Sequence, residues 1–436
     1  MTNSVLTLKD LAKKAVNLLS KHNFARIYTH YDADGISAGA IIAKALLRAQ
    51  KDFQITFLKG LNDFEPGDEE LQIFLDMGSG YSEVMSKIDA DLIILDHHKP
   101  NGEIKPKRGL VHVNPHLVGV DGTYEISASG IAYITAKELG NNSDLATMAI
   151  LGIIGDKQKF LSFNGEILNE AVSFGYAEVK PGIYLPSGNL SKALKMSLEP
   201  YLDFYDKEEE LNEFLSRIGL NWEKEVDELN LEEVQKLADA IVLRLLKMGA
   251  YEGVFEQIIG KKVILKNLPI KNAINFVDLI NSCGRAGEAS TAFRILLGDE
   301  EALARGLQIN EKHITEILED LSRRKKEVRE SFCIRYLVID DAPATSPIAT
   351  ILSRYLMPDK PIIVLNIKKD GKVKVSARTT DKIAQKLDLA EIMRLSALRV
   401  NGVGGGHRVA AGANIEKEKI EEFLKEVDRL CCAMLA

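Results

Sequence analysis

Acids repeatedly close short apolar runs in this chain. Asp32 and Asp34 do so in YTHYDADG, Asp76 in LQIFLDMGSG, Asp96 with His97 and His98 in DLIILDHHKP, and Asp156 at the end of LGIIGD. One aspartate at a strand end is ordinary and solvated. Acids at three strand ends, with two imidazoles beside the last, ask for a shared cause. Carboxylates gathered in one place repel, and their pKa values rise unless a cation neutralises them. Four or five carboxylates with one or two imidazoles form a hard, oxygen-rich donor set, which suits Mn²⁺ or Mg²⁺ better than structural zinc and has room for two ions. Two such ions activate water and clamp the attacking and leaving oxygens of a phosphoryl group.

Those residues need elements to bring them together. FARIYTH (24–30), FQITFL (53–58), LQIFLD (71–76), DLIILD (91–96) and LVHVN (110–114) have the composition of strands. TLKDLAKKAVNLLSKH (7–22), GISAGAIIAKALLRA (35–49), SASGIAYITAKEL (127–139) and ATMAILGIIGD (146–156) have helical character. Continuous apolar strands between helices predict a parallel sheet covered on both faces, and ligands of such sheets gather at the carboxyl ends of the strands. A second α/β unit is expected near the C-terminus. It has a strand at SFCIRYLVID, a helix at SPIATILSRYLM, a hairpin turning at Asp370-Gly371, and a Gly-rich loop NGVGGGHRVAAG (401–412) before a terminal helix.

At 436 residues the chain is too long for one core. The expected division is an α/β metal-binding domain at 1–180, a helical, partly acidic region with a charged linking helix at 181–330, and a smaller α/β domain at 331–436. No apolar run reaches the length of a membrane span, and MTNSVLTLKD shows no charged-then-apolar leader pattern. The expected location is therefore cytoplasmic. Cys283, Cys333, Cys431 and Cys432 lack CxxC spacing and are expected to be buried or free thiols. The net charge is −7, unevenly spread. Residues 301–436 hold 24 Lys and Arg against 20 Asp and Glu, or +4, leaving −11 for the remainder. Residues 196–236 hold 13 acids and 4 bases. A polyanion should favour the C-terminal part and avoid the middle.

Taken in order, DADG, FLDMGSG, LDHH, GIIGD, SAR and GGGHRVAAG resemble the motifs of the DHH phosphoesterase superfamily with its companion DHHA1 domain. THYDADGI, the helical middle and NSCGRAG (281–287) are most similar to the archaeal RecJ-like exonucleases. The resemblance implies one metal held by Asp34, Asp76, His97 and Asp156, and a second held by Asp32 and Asp76, with Asp76 bridging. It implies that His98 faces the scissile phosphate and that Asp96 orients it. Many members place a histidine four residues before the first motif aspartate, where this chain has Tyr28. His30, two residues before Asp32, either replaces that ligand, directly or through water, or is a neighbour.

On the substrate side, the backbone at Gly404, Gly405 and Gly406 is expected to cradle an anion, with His407 donating. Arg378 matches the family's phosphate-binding arginine. Ser127 or Ser129 either caps its helix or stands at a helix N-terminus open to a phosphate, and Arg285 is a further candidate contact. The basic run from Arg323 to Arg329 suits a solvated helix face. The acidic segment 199–229 interleaves Tyr201, Phe204, Tyr205, Phe214 and Trp222, which are core aromatics by default. In the archaeal relatives a comparable insertion is associated with replication-fork proteins of the GINS type. The function this implies is exonucleolytic hydrolysis of single-stranded DNA or RNA with Mn²⁺ (two ions; Mg²⁺ as alternative), in replication or repair. A phosphodiesterase of short oligoribonucleotides or cyclic dinucleotides is the alternative. A non-catalytic replication scaffold is disfavoured by the full set of acids.

Overall fold

The computed structural model describes residues 7–62, 64–342 and 344–435. These residues form two compact units. Residues up to 180 and 262–311 make the first, and residues 181–261 with those from 312 onward make the second.

In chain order the first stretch contains α1 (Leu8–Leu19), β1 (Phe24–His30), α2 (Ala33–Arg48), β2 (Asp52–Leu58), β3 (Leu71–Leu75), the single turn α3 (Ser82–Met85), β4 (Asp91–Leu95), β5 (Leu110–Val113), α4 (Ala128–Leu139), α5 (Ala146–Gly155) and α6 (Ser162–Ser173). All five strands are parallel in the order β2-β1-β3-β4-β5. Residues of β3 and β4 alternate between two apolar layers, because successive side chains point to opposite faces. Ile73, Leu75, Ile93 and Leu95 join the core under α1, α2, α4 and α5, whereas Phe74, Leu92 and Ile94 join a smaller one with Tyr28 and Met85. β1 lies between β2 and β3, so the chain leaves it in opposite directions on its two sides. Such a switch point opens a crevice at the carboxyl ends of β1 and β3, where the DADG and LDMGSG acids sit.

The chain continues through β6 (Ala177–Ile183), α7 (Leu190–Lys195), α8 (Glu208–Ile218), α9 (Leu231–Met248), β7 (Ile259–Leu265), α10 (Ala273–Arg285), α11 (Ala289–Leu297) and α12 (Glu300–Arg324). The helical inter-domain region expected at 181–330 is shared between the two units. Phe276, Ile280 and Phe293 of α10 and α11 complete the first unit's core. Leu194, Leu211, Leu237 and Ile241 instead pack in a second core, together with Leu337, Ile339 and Val364. Apolar periodicity marked these helices, but which sheet each one covers is a long-range property.

The remaining elements are β8 (Arg329–Glu330), β9 (Arg335–Asp340), α13 (Thr345–Ile351), β10 (Ile362–Ile367), β11 (Lys372–Arg378), α14 (Asp381–Ala384), α15 (Leu389–Arg399), β12 (Val403–His407), β13 (Ala410–Glu416) and α16 (Ile420–Leu435). They form a mixed sheet in the order β12-β13-β11-β10-β9-β8, with only β9 and β10 parallel. The hairpin turns at Asp370-Gly371 as expected, although Lys368 and Lys372 close a three-residue loop with Gly371 at φ +82°.

Two expectations are corrected. The Gly404–His407 segment is an edge strand pairing with β13, not a loop. Cys333 and Cys432 form a disulfide across 99 residues, while Cys283 and Cys431 are buried free thiols. A pair so far apart leaves no local spacing to detect. No helix among the described residues is long and apolar enough to cross a membrane.

Candidate metal centre

The first unit brings every proposed metal ligand to the carboxyl end of its sheet. His30 ends β1 and Asp32 caps α2, its side chain accepting from the Gly35 N–H at 3.1 Å. Asp34 lies in the first turn of that helix. Asp76 follows β3 in the left-handed region at φ +57°, an unusual conformation for a residue with a Cβ. Asp96, His97 and His98 follow β4, and Asp156 caps the C-terminus of α5.

Compact donor groups result: Asp34 with His97 and Asp156, His30 with Asp32 and Asp76, and a third, Asp76 with His97 and His98, that overlaps both. His97 Nε2 lies 3.1 Å from Asp156 Oδ2, 3.4 Å from Asp76 Oδ1 and 4.0 Å from Asp34 Oδ2. His30 Nδ1 lies 2.8 Å from Asp32 Oδ2 and 3.4 Å from Asp76 Oδ2. Asp76 therefore turns one oxygen to each of the first two groups. Its side chain is only 3% exposed, and Oδ1 is buried without a hydrogen bond. A buried anionic oxygen whose nearest donor, His97 Nε2 at 3.4 Å, makes no hydrogen bond is well matched by a bound cation, so the residues fit divalent metals on the chemistry of the donors as well as their number.

The electrostatics agree. Burial, then the neighbouring Asp34 and Asp76, push the Asp156 carboxyl up to about 9. Burial and Asp76 raise Asp34 to about 6. Burial works in the same direction on Asp76, yet the His30 and His97 imidazoles outweigh it and hold this acid well below the usual carboxylate range. Despite its burial, His30 rises to about 11 between Asp32 and Asp76.

Outer contacts fix each donor. His97 Nδ1 faces the Gly122 carbonyl at 2.8 Å, which presents Nε2 to the acids. Asp34 accepts the Ala128 and Ser129 N–H groups at 2.7 and 2.9 Å. The helix N-terminus considered for a substrate phosphate thus holds the Asp34 carboxylate. Ser129 itself is fully buried, bonded to Ser127 and to the Ala149 carbonyl. Gly152 is required beside them, since a Cβ there would sit 2.1 Å from both Asp34 Oδ1 and Ser129 Oγ.

Asp96 is fully buried and accepts from His98 Nδ1 at 2.8 Å, leaving the other side of a half-exposed ring free. Sequence reasoning missed what holds Asp96. The Ser79 N–H donates to Asp96 Oδ2 at 2.9 Å, and Asn114 Nδ2 donates both to Ser79 Oγ and to the His98 carbonyl. These bonds close a polar circuit around His98. His112 anchors it from β5, with Nε2 2.8 Å from Ser79 Oγ. The one signal was a histidine inside an apolar strand.

Tyr28 takes no part in the centre. Its ring stacks on Phe74 and meets Phe64 edge-on, and its hydroxyl accepts from the Gly67 N–H at 3.0 Å, on the sheet face away from α2. His30 is the residue that reaches the second group. The NSCGRAG segment abuts the first motif: Asn281 Oδ1 accepts the Ala33 N–H at 3.1 Å, and a Cβ on Gly284 would sit 2.0 Å from the Tyr31 carbonyl. Arg285 follows at once and is exposed.

The second unit gathers its own candidates. In register, Arg378 and His407 both pair with Ala410, on opposite sides of β13, so they share one end of the sheet. The half-buried Arg378 guanidinium donates to the Ala377 and Ala411 carbonyls and to Ser346 Oγ, while His407 is exposed. The basic run is already engaged in part: Arg323 and Arg324 pair with Asp320, and Lys325 with Asp203. Of the acidic segment's aromatics, Tyr201 and Phe204 are core residues and Trp222 is 52% exposed.

Two family models match, the DHH family N-terminal domain over residues 25–153 and the DHHA1 domain over residues 331–432. The chain is 32% identical to the uncharacterized protein MJ0831 of Methanocaldococcus jannaschii, across 97% of this chain and 98% of that one. It is 25% identical to the single-stranded-DNA-specific exonuclease RecJ of Bacillus subtilis, over 56% of this chain and 35% of RecJ. Among solved structures, RecJ of Thermus thermophilus in complex with Mn²⁺ superposes with a TM-score of 0.63 at 17% identity, covering 99% of this chain and 56% of that one. CDC45 of Entamoeba histolytica gives 0.65 at 14% identity and 98% of both chains. At such identities the structural likenesses speak for the fold. Motifs, fold and relatives agree: the chain is a RecJ-like member of the DHH/DHHA1 phosphoesterase superfamily.

Proposed function

We propose that this protein is a metal-dependent exonuclease that hydrolyses phosphodiester bonds of single-stranded DNA or RNA, in replication or repair. The observation that carries the reading is Asp76, whose two oxygens serve two donor groups and one of which is buried without a hydrogen bond. Asp34, His97 and Asp156 would hold one divalent ion and His30 and Asp32 a second, with Asp76 shared. Mn²⁺ or Mg²⁺ bound there supplies an activated water and neutralises charge on the phosphate.

The remaining residues bind and orient. His98, held at Nδ1 by Asp96, presents its other nitrogen for donation to a phosphate oxygen. Arg378, His407 and the backbone at Gly404–Gly406 suit a neighbouring phosphate of the strand, and Arg285 suits one close to the first motif. The acidic segment, with Trp222 exposed, suits a protein partner of the GINS type better than a nucleic acid, because its charge repels polyanions. A scaffold role has whole-chain likeness to CDC45 in its favour, but the complete donor set favours hydrolysis.

The test is incubation with Mn²⁺ and end-labelled single strands of DNA and RNA, from dinucleotides upward, labelled at either end. Stepwise shortening of long strands is expected. Cleavage confined to the shortest substrates would favour the oligoribonucleotide reading, and no cleavage of any strand would refute hydrolysis.

A further inference from the structure

The metal centre has a rim that none of the roles above uses. Tyr124 is 66% exposed on the turn after β5, and Leu161 is 62% exposed on the loop after Asp156. Single exposed apolar side chains are normal on a protein surface. These two differ in what holds them.

The Tyr124 turn is braced at both ends. The Thr123 N–H donates to Asp121 Oδ1 at 2.8 Å, and the Asp121 N–H donates to Glu125 Oε2 at 2.8 Å. Two residues before Tyr124, the Gly122 carbonyl takes His97 Nδ1 and, at 2.9 Å, Gln158 Nε2. Two residues of chain span at most about 7 Å, so the Tyr124 backbone is anchored close to a proposed metal ligand.

The Leu161 loop is stitched to the same turn. Asn164 Nδ2 donates to Gln158 Oε1 at 2.7 Å, and the Asn164 N–H donates to the Glu125 carbonyl at 3.1 Å. Lys157 and Lys159, exposed on this loop, have no ion pair among the described residues. An exposed aromatic face on a braced turn, an exposed apolar side chain on the loop stitched to it, and two unpaired ammonium groups together match the chemistry of an unpaired base and its phosphates.

We propose that Tyr124 and Leu161 form a base-binding subsite of the metal centre, with Lys157 and Lys159 attracting the backbone of the same strand. This rests on the hydrolytic reading above and sharpens it: the preferred substrate is a strand whose bases are unpaired and present, rather than any phosphodiester. A ring carried on a braced turn has only its own two side-chain torsions to fix on stacking, and stacking suits every base type.

The full-length protein with Mn²⁺ decides this with single strands of one length. One set carries 2-aminopurine at either end, and the other is abasic at the same positions. Wild type and Tyr124→Phe are expected to quench 2-aminopurine fluorescence on binding, and Tyr124→Ala to leave it bright. The ratio of kcat/KM on base-bearing over abasic strands is expected to fall roughly 5- to 100-fold in Tyr124→Ala, chiefly through KM. Lys157→Ala with Lys159→Ala should flatten the salt dependence of binding.

Equal quenching by wild type and Tyr124→Ala overturns the proposal, as does an unquenched signal with wild type. Equal loss in Tyr124→Phe and Tyr124→Ala also overturns it, because the hydroxyl would then be the contact. If wild type cleaves neither strand, the hydrolytic reading falls and the fluorescence signal alone decides the subsite.

Discussion

Asp76 links the two halves of the centre, so its loss should be felt in both. Asp76→Ala is expected to lower activity by more than about 100-fold, beyond the range seen for residues that only support a ligand, while the variant stays folded by circular dichroism. The pH response has a definite sign. Asp156 at about 9, Asp34 at about 6 and His30 at about 11 all lie above their ordinary values. Between about pH 4 and 11 these three groups therefore bind more protons in the metal-free folded state than in the unfolded chain, and their contribution to stability falls as pH rises. Asp76 acts oppositely, but only below the ordinary carboxylate range. Metal ions must displace those protons. Mn²⁺ is thus expected to raise the unfolding temperature more at pH 8 than at pH 6, and calorimetry in buffers of different ionisation enthalpy should detect released protons. An equal shift at both pH values would contradict this account. The acids were legible because each one interrupts an apolar run. Ser79, Asn114 and His112 were not, being single polar residues whose partners lie 16 to 35 positions away. Ser79→Ala is expected to lower kcat by about 10- to 100-fold with KM nearly unchanged, whereas a purely structural role would lower the unfolding temperature and leave kcat intact.

At the scale of elements, strands and helices followed from periodicity because each half-buried element must match its own repeat. The helix ATMAILGIIGD formed despite its glycines, and the structure gives one of them a reason. Gly152→Ala would press a methyl group against Asp34 and Ser129. A loss of about 1–3 kcal/mol is expected from overpacking, together with weaker Mn²⁺ binding by titration. If stability falls while Mn²⁺ affinity holds, the crowding does not reach Asp34. The GGGH segment escaped because glycine has little strand preference, and only pairing with β13 makes it a strand. The helical middle escaped for a related reason, since periodicity shows that a face is apolar without showing which sheet it covers.

At the scale of the molecule, the chain passes between the two units at residues 180, 261 and 311, so neither is a continuous piece of sequence. The Cys333–Cys432 disulfide encloses nearly the whole DHHA1 match. Closing a loop of this length stabilises by about 2–5 kcal/mol. Reduction, or Cys333→Ser, is expected to lower the unfolding temperature of the C-terminal unit, followed by hydrogen exchange in β10 and β11. Unchanged protection there would show that the bridge carries no stability. The same bridge, with Asp428 accepting from Ser331 Oγ and the Cys333 N–H, sets the two ends of the segment 5.3 Å apart at their Cα atoms. A segment with both ends at one doorway is a cassette: it can enter a host chain at a single point without stretching it. One side of its sheet is already sealed by α15 and α16. The other side leans on helices from residues 181–261, so a transplanted cassette would arrive with one wall missing, and its new host would have to build that wall.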